Sequence, residues 1–208
     1  MTFRFPSSGQ FVKWAPFPHP ELDFSAEAER MSWARRWLTV PEVLEVGTDA
    51  DSQWLRTRAL PGRSAVHPFW RARPRTAARG IGSGLRRLHD RLPADECPFS
   101  WSVESRVHRA AAERRQELLD TAPPIDRLVV CHADACTPNT LLDERGEPVG
   151  HVDLGRLGVA DRWADLAIAT YSLAWNFPGD WEDELLDAYR IARDEERIAY
   201  YRRLWDAT

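Results

Sequence analysis

Apolar positions near the start of the chain recur at short, strand-like intervals. The segments FRF (3–5) and QFVKW (10–14) flank PSSG, which predicts a hairpin with Gly9 in its turn. The period changes in SAEAERMSWARRWL (25–38). Met31, Ala34 and Leu38 fall on one helical face there, and Ser25 is the expected N-cap. EVLEVG (42–47) and QWLRTRAL (53–60) then read as two strands around the turn TDAD (48–51). LPGR (60–63) breaks this pattern, and the sequence beyond it is rich in helical periodicity. Ile81, Leu85, Leu88 and Leu92 line one face of a helix, and a second helix is predicted over 103–119. RLVV (127–130) reads as a strand, and TLL (140–142) and VGHV (149–152) as a hairpin around DERG. Three helices, at about 161–175, 181–191 and 194–206, complete the chain. The whole predicts an α+β protein in two parts, a small antiparallel sheet over 1–59 and a mainly helical part over 60–208.

Composition narrows the function classes. The 208 residues carry a net charge of −4 and no basic run, so nucleic acid is not an expected partner. Three cysteines are too few and too scattered for a disulfide framework. The N-terminus lacks the pattern of a signal peptide, and no apolar run reaches the ~18 residues of a membrane span. A cytoplasmic location is the expectation. One bias stands out: Lys13 is the single lysine against 27 arginines.

The chemistry concentrates in CHADACTPNTLLDERGEPVGHVDLG (131–155), which sets His132, Asp134, Asn139 and Asp153 around two short apolar runs. Polar groups beside a core are costly unless something pairs with them, so they either tie the loop together or hold a ligand. A hairpin between Asn139 and Asp153 returns the second beside the first, and two such oxygens suit Mg²⁺, which takes few protein ligands and shares phosphates. Asp134 stays free to accept a hydroxyl proton. H-x-D-x-x-x-x-N followed by D-x-G is the order found in kinases. Phosphoryl transfer from ATP also uses a strand lysine paired to a helix glutamate. Lys13 lies on a predicted strand, and AEAE (26–29) lies on the next helix. A compact ammonium suits that bridging position better than a guanidinium fork.

CHADACTPNTLL together with HVDLGRLGVADRWADLAIATYSL resembles the aminoglycoside 3'-phosphotransferases (kanamycin kinases) of the protein-kinase-like fold. Their metal-ligand segment D-x-G-R-x-G-x-A-D-[KR]-[WY]-x-D-[IL]-A is matched throughout 153–167. Looser similarity covers WLRTRALPGRSA, LRRLHDRLPADECPF and RIAYYRRLWD. The resemblance implies a two-lobed fold, with ATP and Mg²⁺ as cofactors and a cationic, aminoglycoside-like acceptor. It implies Asp134 as catalytic base, Asn139 and Asp153 as magnesium ligands, and Lys13 with Glu27 on the phosphates, Glu29 being only two residues away. Phe11 matches the aromatic that stacks on adenine, and Thr57 to Leu60, Ala59 among them, would bond the adenine edge through the backbone. Arg156 and Asp206 would meet the acceptor, and Asp165 would brace the catalytic loop. The resemblance also implies, as an expectation, a trimmed first lobe that lacks the family's first strand and most of its phosphate-covering loop. The segment between Leu119 and His132 is short, and of the family's acidic and aromatic C-terminal drug contacts Asp206 is what remains.

The expected activity is therefore transfer of the ATP γ-phosphate to a hydroxyl of an aminoglycoside-type antibiotic, giving resistance. A kinase for another alcohol and a non-catalytic nucleotide-binding remnant are the rivals. Plainer readings accompany several residues. His132 is expected to bond nearby backbone and His89 to pack within its helix. The ten tryptophans are expected to fill core and lobe contacts. Arg156 has an alternative role as the ion-pair partner of Asp161 or Asp165, and Asp180–Asp183 is the best candidate for a cation-binding rim. A zinc site from Cys131, His132, Asp134 and Cys136 is disfavoured by its geometry.

Overall fold

A computed structural model describes residues 1–5 and 8–208, so the tip of the predicted first hairpin, Pro6–Ser7, lies outside the described residues. Strands β1 (Thr2–Phe5) and β2 (Gln10–Pro16) pair antiparallel. Helix α1 (Phe24–Ala34) follows, then β3 (Val43–Thr48) and β4 (Ser52–Arg58). The sheet order is β1-β2-β4-β3, with Phe11 opposite Thr57 and Lys13 opposite Leu55. Directly opposed residues share a face, so Phe11, Lys13 and Thr57 point to the same side of the sheet. Helix α1 is capped by Asp23, whose carboxylate accepts the Ala26 N–H at 2.9 Å, and not by the predicted Ser25. It also ends before Leu38, because Pro41 and the β-branched pair Thr39–Val40 favour extended backbone.

Beyond Arg58 come β5 (Arg63–Ser64), α2 (Pro68–Arg71) and the long α3 (Pro74–Arg91). The predicted helix over 103–119 is two helices, α4 (Val103–Val107) and α5 (Ala112–Asp120). Ala111 between them is extended, and the Arg115 guanidinium donates to the carbonyls of Ala110 at 3.0 Å and His108 at 2.7 Å, satisfying the broken end. β6 (Leu128–Cys131), β7 (Thr140–Leu142), β8 (Pro148–His151) and β9 (Gly158–Asp161) follow, then α6 (Trp163–Asn176), α7 (Glu182–Tyr189) and α8 (Glu195–Ala207). β9 was not expected. It is four residues of Gly, Val, Ala and Asp, short and weakly apolar, held by antiparallel pairing with β6.

Two apolar cores organise the molecule. In one, Ile81 and Leu85 of α3 meet Leu166 and Leu173 of α6 and Leu185 and Leu204 of the last two helices. The other joins the sheet to the helical part: Phe24, Ala28 and Met31 of α1 and Leu55 of β4 pack with Leu88 and Leu92 near the end of α3, and with Leu154 and Leu157. Burial on both sides of the cleft thus holds α1 against the segment that carries Asp153. No helix among the described residues is long and apolar enough to cross a membrane.

Candidate active site

β6 runs into the loop that begins at His132, and Asp165 near the start of α6 shapes that loop. Its carboxylate is fully buried and accepts the His132 N–H at 2.6 Å and the Ala133 N–H at 2.8 Å. Two successive amides can face one carboxylate because Ala133 is left-handed, at φ 67°. For an alanine that conformation costs ~1–2 kcal/mol, which two charge-assisted hydrogen bonds outweigh. His89 of α3 bonds Asp165 at 3.0 Å through Nε2 and the Tyr189 hydroxyl at 2.8 Å through Nδ1. Burial alone would push the Asp165 carboxyl up, but the His89 hydrogen bond and the His132 and Ala133 side hold it below the usual carboxylate range. His89 is therefore more than a packed helix residue: it ties α3 and α7 to the loop. His89, Cys131 and Asp165 converge in the interior, but the hydrogen bonds just described already occupy His89 and Asp165.

The next turn hangs on His132. Its Nδ1 accepts the Asp134 N–H at 3.3 Å and its Nε2 lies 3.0 Å from the Val152 carbonyl, so the ring bonds backbone as expected. Asn139 donates from Nδ2 to the Asp134 carbonyl at 2.9 Å, and the Val152 N–H donates to the Asn139 carbonyl at 3.0 Å. The β7–β8 hairpin thereby returns Asp153, itself left-handed at φ 66°, beside the Asn139 segment. With Nδ2 committed, the Asn139 side chain has its oxygen left to offer. Asp134 Oδ1 is enclosed and has no hydrogen-bond partner among the described residues, although the Cys136 thiol lies beside the same carboxylate.

Lys13 completes the group. Its Nζ donates to Glu27 Oε1 and to Asp153 Oδ1, both at 2.6 Å. Burial works against the ammonium, but Glu27 and Asp153 outweigh it and hold its pKa above the ordinary lysine value. Burial, helped by Asp153, raises the Glu27 carboxyl despite Lys13. Glu27 is buried in α1 while Glu29 is exposed, which decides between the two glutamates. On the sheet side, Arg58 N–H bonds the Glu42 carbonyl at 2.9 Å and Ala59 N–H bonds the Gly9 carbonyl at 2.8 Å. The amides of residues 58 and 59 are thus used within the protein.

A cleft of about 660 Å³ opens from Asp134, Asp153 and Glu27 toward Glu21, Asp23, Arg30, Arg109, Arg156 and Trp205. Phe11, Thr57 and Ala59 are not among the residues that line this chamber. Arg156 pairs with neither Asp161 nor Asp165. Its guanidinium lies 5.6 Å from the ring centres of both Trp101 and Trp205. The structure brings Trp205 into the wall, and Asp206 next to it is exposed outside the lining. Arg109 and Trp205 escaped sequence reasoning, because they come from a helix break and the last helix, with no local pattern to join them. Glu182 and Asp183 of the expected cation rim are engaged by Arg193.

The side-chain oxygen of Asn139 and the carboxylate of Asp153 are hard oxygen donors of the kind that would hold Mg²⁺. With Lys13 against Asp153 and the Asp134 carboxylate in the same cleft, the arrangement suits phosphoryl transfer. A profile of the phosphotransferase enzyme family matches residues 7–204. The chain belongs to that family. The chain is 33% identical over 244 aligned positions to an aminoglycoside 3'-phosphotransferase of Streptomyces fradiae, covering 95% of this chain and 90% of the relative. It is 31% identical to a streptomycin 3''-kinase of Streptomyces griseus, over 96% and 85% of the two chains. Among solved structures, aminoglycoside 3'-phosphotransferase of type VIII superposes with a TM-score of 0.81 at 32% identity, covering 96% of this chain and 85% of that one. An aminoglycoside phosphotransferase of Streptomyces rimosus, in complex with ADP and streptomycin, superposes at 0.77 with 30% identity, covering 100% of this chain and 90% of that one. These relatives establish the two-lobed kinase-like α+β fold and the phosphotransferase class of this family member.

Proposed function

We propose that this phosphotransferase moves the γ-phosphate of ATP to a hydroxyl of an aminoglycoside-type acceptor, with residues 1–59 forming the nucleotide lobe and 60–208 the catalytic lobe. The observation that carries the reading is that Asp134 lines the same cleft as Asp153, whose carboxylate accepts from Lys13 Nζ at 2.6 Å. Asp134 orients the acceptor hydroxyl and takes its proton as the new P–O bond forms. Lys13, fixed by Glu27, presents one ammonium to the phosphates. Phe11 and Thr57 share its sheet face and would meet the adenine, with backbone of the Ala59 segment at its edge. Asn139 and Asp153 would hold Mg²⁺, which when bound neutralises phosphate charge. Catalysis then rests on positioning and electrostatics. The relatives' antibiotic acceptors support the acceptor class, and resistance to such a drug is the corresponding biological role.

The test is ADP release with Mg·ATP and a panel of aminoglycosides and other alcohols. Asp134→Asn should lower kcat by ~10²–10⁴, while Mg·ATP affinity stays within a few-fold. Wild-type turnover by this variant on an accepted substrate would remove Asp134 from the base role.

A further inference from the structure

Helix α1 meets the helical part of the molecule mainly through apolar contacts. Phe24, Ala28 and Met31 pack with Leu88, Leu92, Leu154 and Leu157. Hydrophobic burial is non-directional, so a small rotation or slide of the helix would keep most of it. The site does not tolerate such a slide, because Glu27 on this helix holds Lys13 Nζ at 2.6 Å. Arg30 supplies the missing direction. It lies three residues after Glu27, hence on the same side of the helix. Its Nε donates to the Leu157 carbonyl and its Nη1 to the Ala26 carbonyl, each at 3.1 Å. The guanidinium stands 4.8 Å from the ring centre of Phe99, which limits its swing. Among the described residues the bond to Leu157 is the hydrogen bond that ties α1 to residues 60–208. Two N–H groups of one planar fork on two carbonyls fix an orientation as well as a distance.

Leu157 is buried and follows Asp153 in the turn that leads to β9. Between them, Gly155 faces α1, where an added Cβ would stand 3.7 Å from Glu27 Cβ. One turn of α1 thus touches Lys13 through Glu27 and the segment after Asp153 through Arg30, and Lys13 completes the ring on Asp153 Oδ1. We propose that Arg30 is a positioning residue that sets the register of α1 against the Asp153–Leu157 segment and so keeps Glu27 on Lys13. It acts through Glu27 and not on the reacting atoms. Without the fork, α1 can turn slightly on its apolar contacts, and the ammonium spends part of its time released from Glu27. The effect on turnover rests on the phosphotransfer reading, in which Lys13 meets the phosphates. The effect on Lys13 itself does not.

Acylation of Lys13, read by peptide mass spectrometry against the N-terminal amine, tests this without turnover. Arg30→Met keeps the length of the side chain and its packing on Phe99 and removes the donors. In the nucleotide-free protein it should speed Lys13 labelling by at least about threefold, since labelling follows the released population. Glu27→Gln should speed labelling too, and adding Arg30→Met to it should change little, because both act on one link. Arg30→Lys, which keeps a donor, should fall between wild type and Arg30→Met. In ADP release, kcat of Arg30→Met should drop about tenfold while the acceptor KM stays within about twofold. Unchanged Lys13 labelling in Arg30→Met would overturn this role, and so would a gain that adds in full to that of Glu27→Gln, as general loosening would give. A raised acceptor KM beside unchanged labelling would make Arg30, which lines the cleft, an acceptor contact instead. Failure of every acceptor to yield ADP would overturn the phosphotransfer reading, and the labelling would still decide the role of Arg30.

Discussion

Asp165→Asn tests how the catalytic loop is held. The native carboxylate is fully buried and takes three hydrogen bonds, from the amides of His132 and Ala133 and from His89. An asparagine of nearly the same shape offers one oxygen and one NH₂ group. Whichever way it turns, one backbone N–H faces another donor and is left unsatisfied. A hydrogen bond to a charged group contributes ~1.5–3 kcal/mol, and a stranded buried donor costs ~1–3 kcal/mol. A net loss of about 3 kcal/mol follows, which for a chain of this size lowers Tm by roughly 6–12 °C. Activity should fall as well, because the amide that loses its partner adjoins Asp134. The pH dependence has a definite sign. The folded pKa of Asp165 lies below the unfolded value of about 3.9, so its stabilisation is complete above that value and disappears as pH falls through the folded pKa. The gap in stability between wild type and variant should therefore be full at pH 6–7 and narrow below about pH 4. Differential scanning calorimetry across pH, alongside steady-state kinetics, reads both effects. A Tm within 1 °C of wild type at pH 7 would refute the bracing argument.

Three further outcomes follow from the same geometry. Asp153→Ala should abolish the Mg²⁺ dependence of ATP binding in a titration with and without the cation, and unchanged Mg·ATP affinity would exclude Asp153 as the metal ligand. Lys13 and the N-terminal amine are the two amine targets of an acylating reagent, so Mg·ATP should shield Lys13 alone in peptide mass spectrometry, with equal labelling counting against the cleft assignment. Gly158→Ala would set a Cβ 2.7 Å from the Ser100 carbonyl carbon, so unfolding by urea should show a loss of ~1–3 kcal/mol, and no loss would mean that the backbone at Ser100 can move away freely.

Much of the site was legible in order along the chain. His132, Asp134, Asn139 and Asp153 sit within 22 residues, so one strand, one turn and one hairpin are enough to bring them together, and alternation and turn residues report such short-range structure. The lone lysine marked its own position because it departs from the bias of the rest of the chain. Local pattern also located most helices, but it misplaced the cap of α1, missed the break between α4 and α5, and gave no sign of β9. That strand exists because β6 offers it a partner, and pairing energy belongs to the contact rather than to either segment. The resemblance pointed to Glu27, and the tertiary structure supplies the physical reason why Glu29 is not the partner, since Glu27 is turned into the core beside Lys13 and Glu29 is exposed. The tertiary structure alone made His89 a link between α3, α7 and the catalytic loop. The Arg30–Leu157 bond is the furthest case: its partners lie 127 positions apart in the chain, and only the packing of α1 on the helical part brings that donor within reach of that carbonyl.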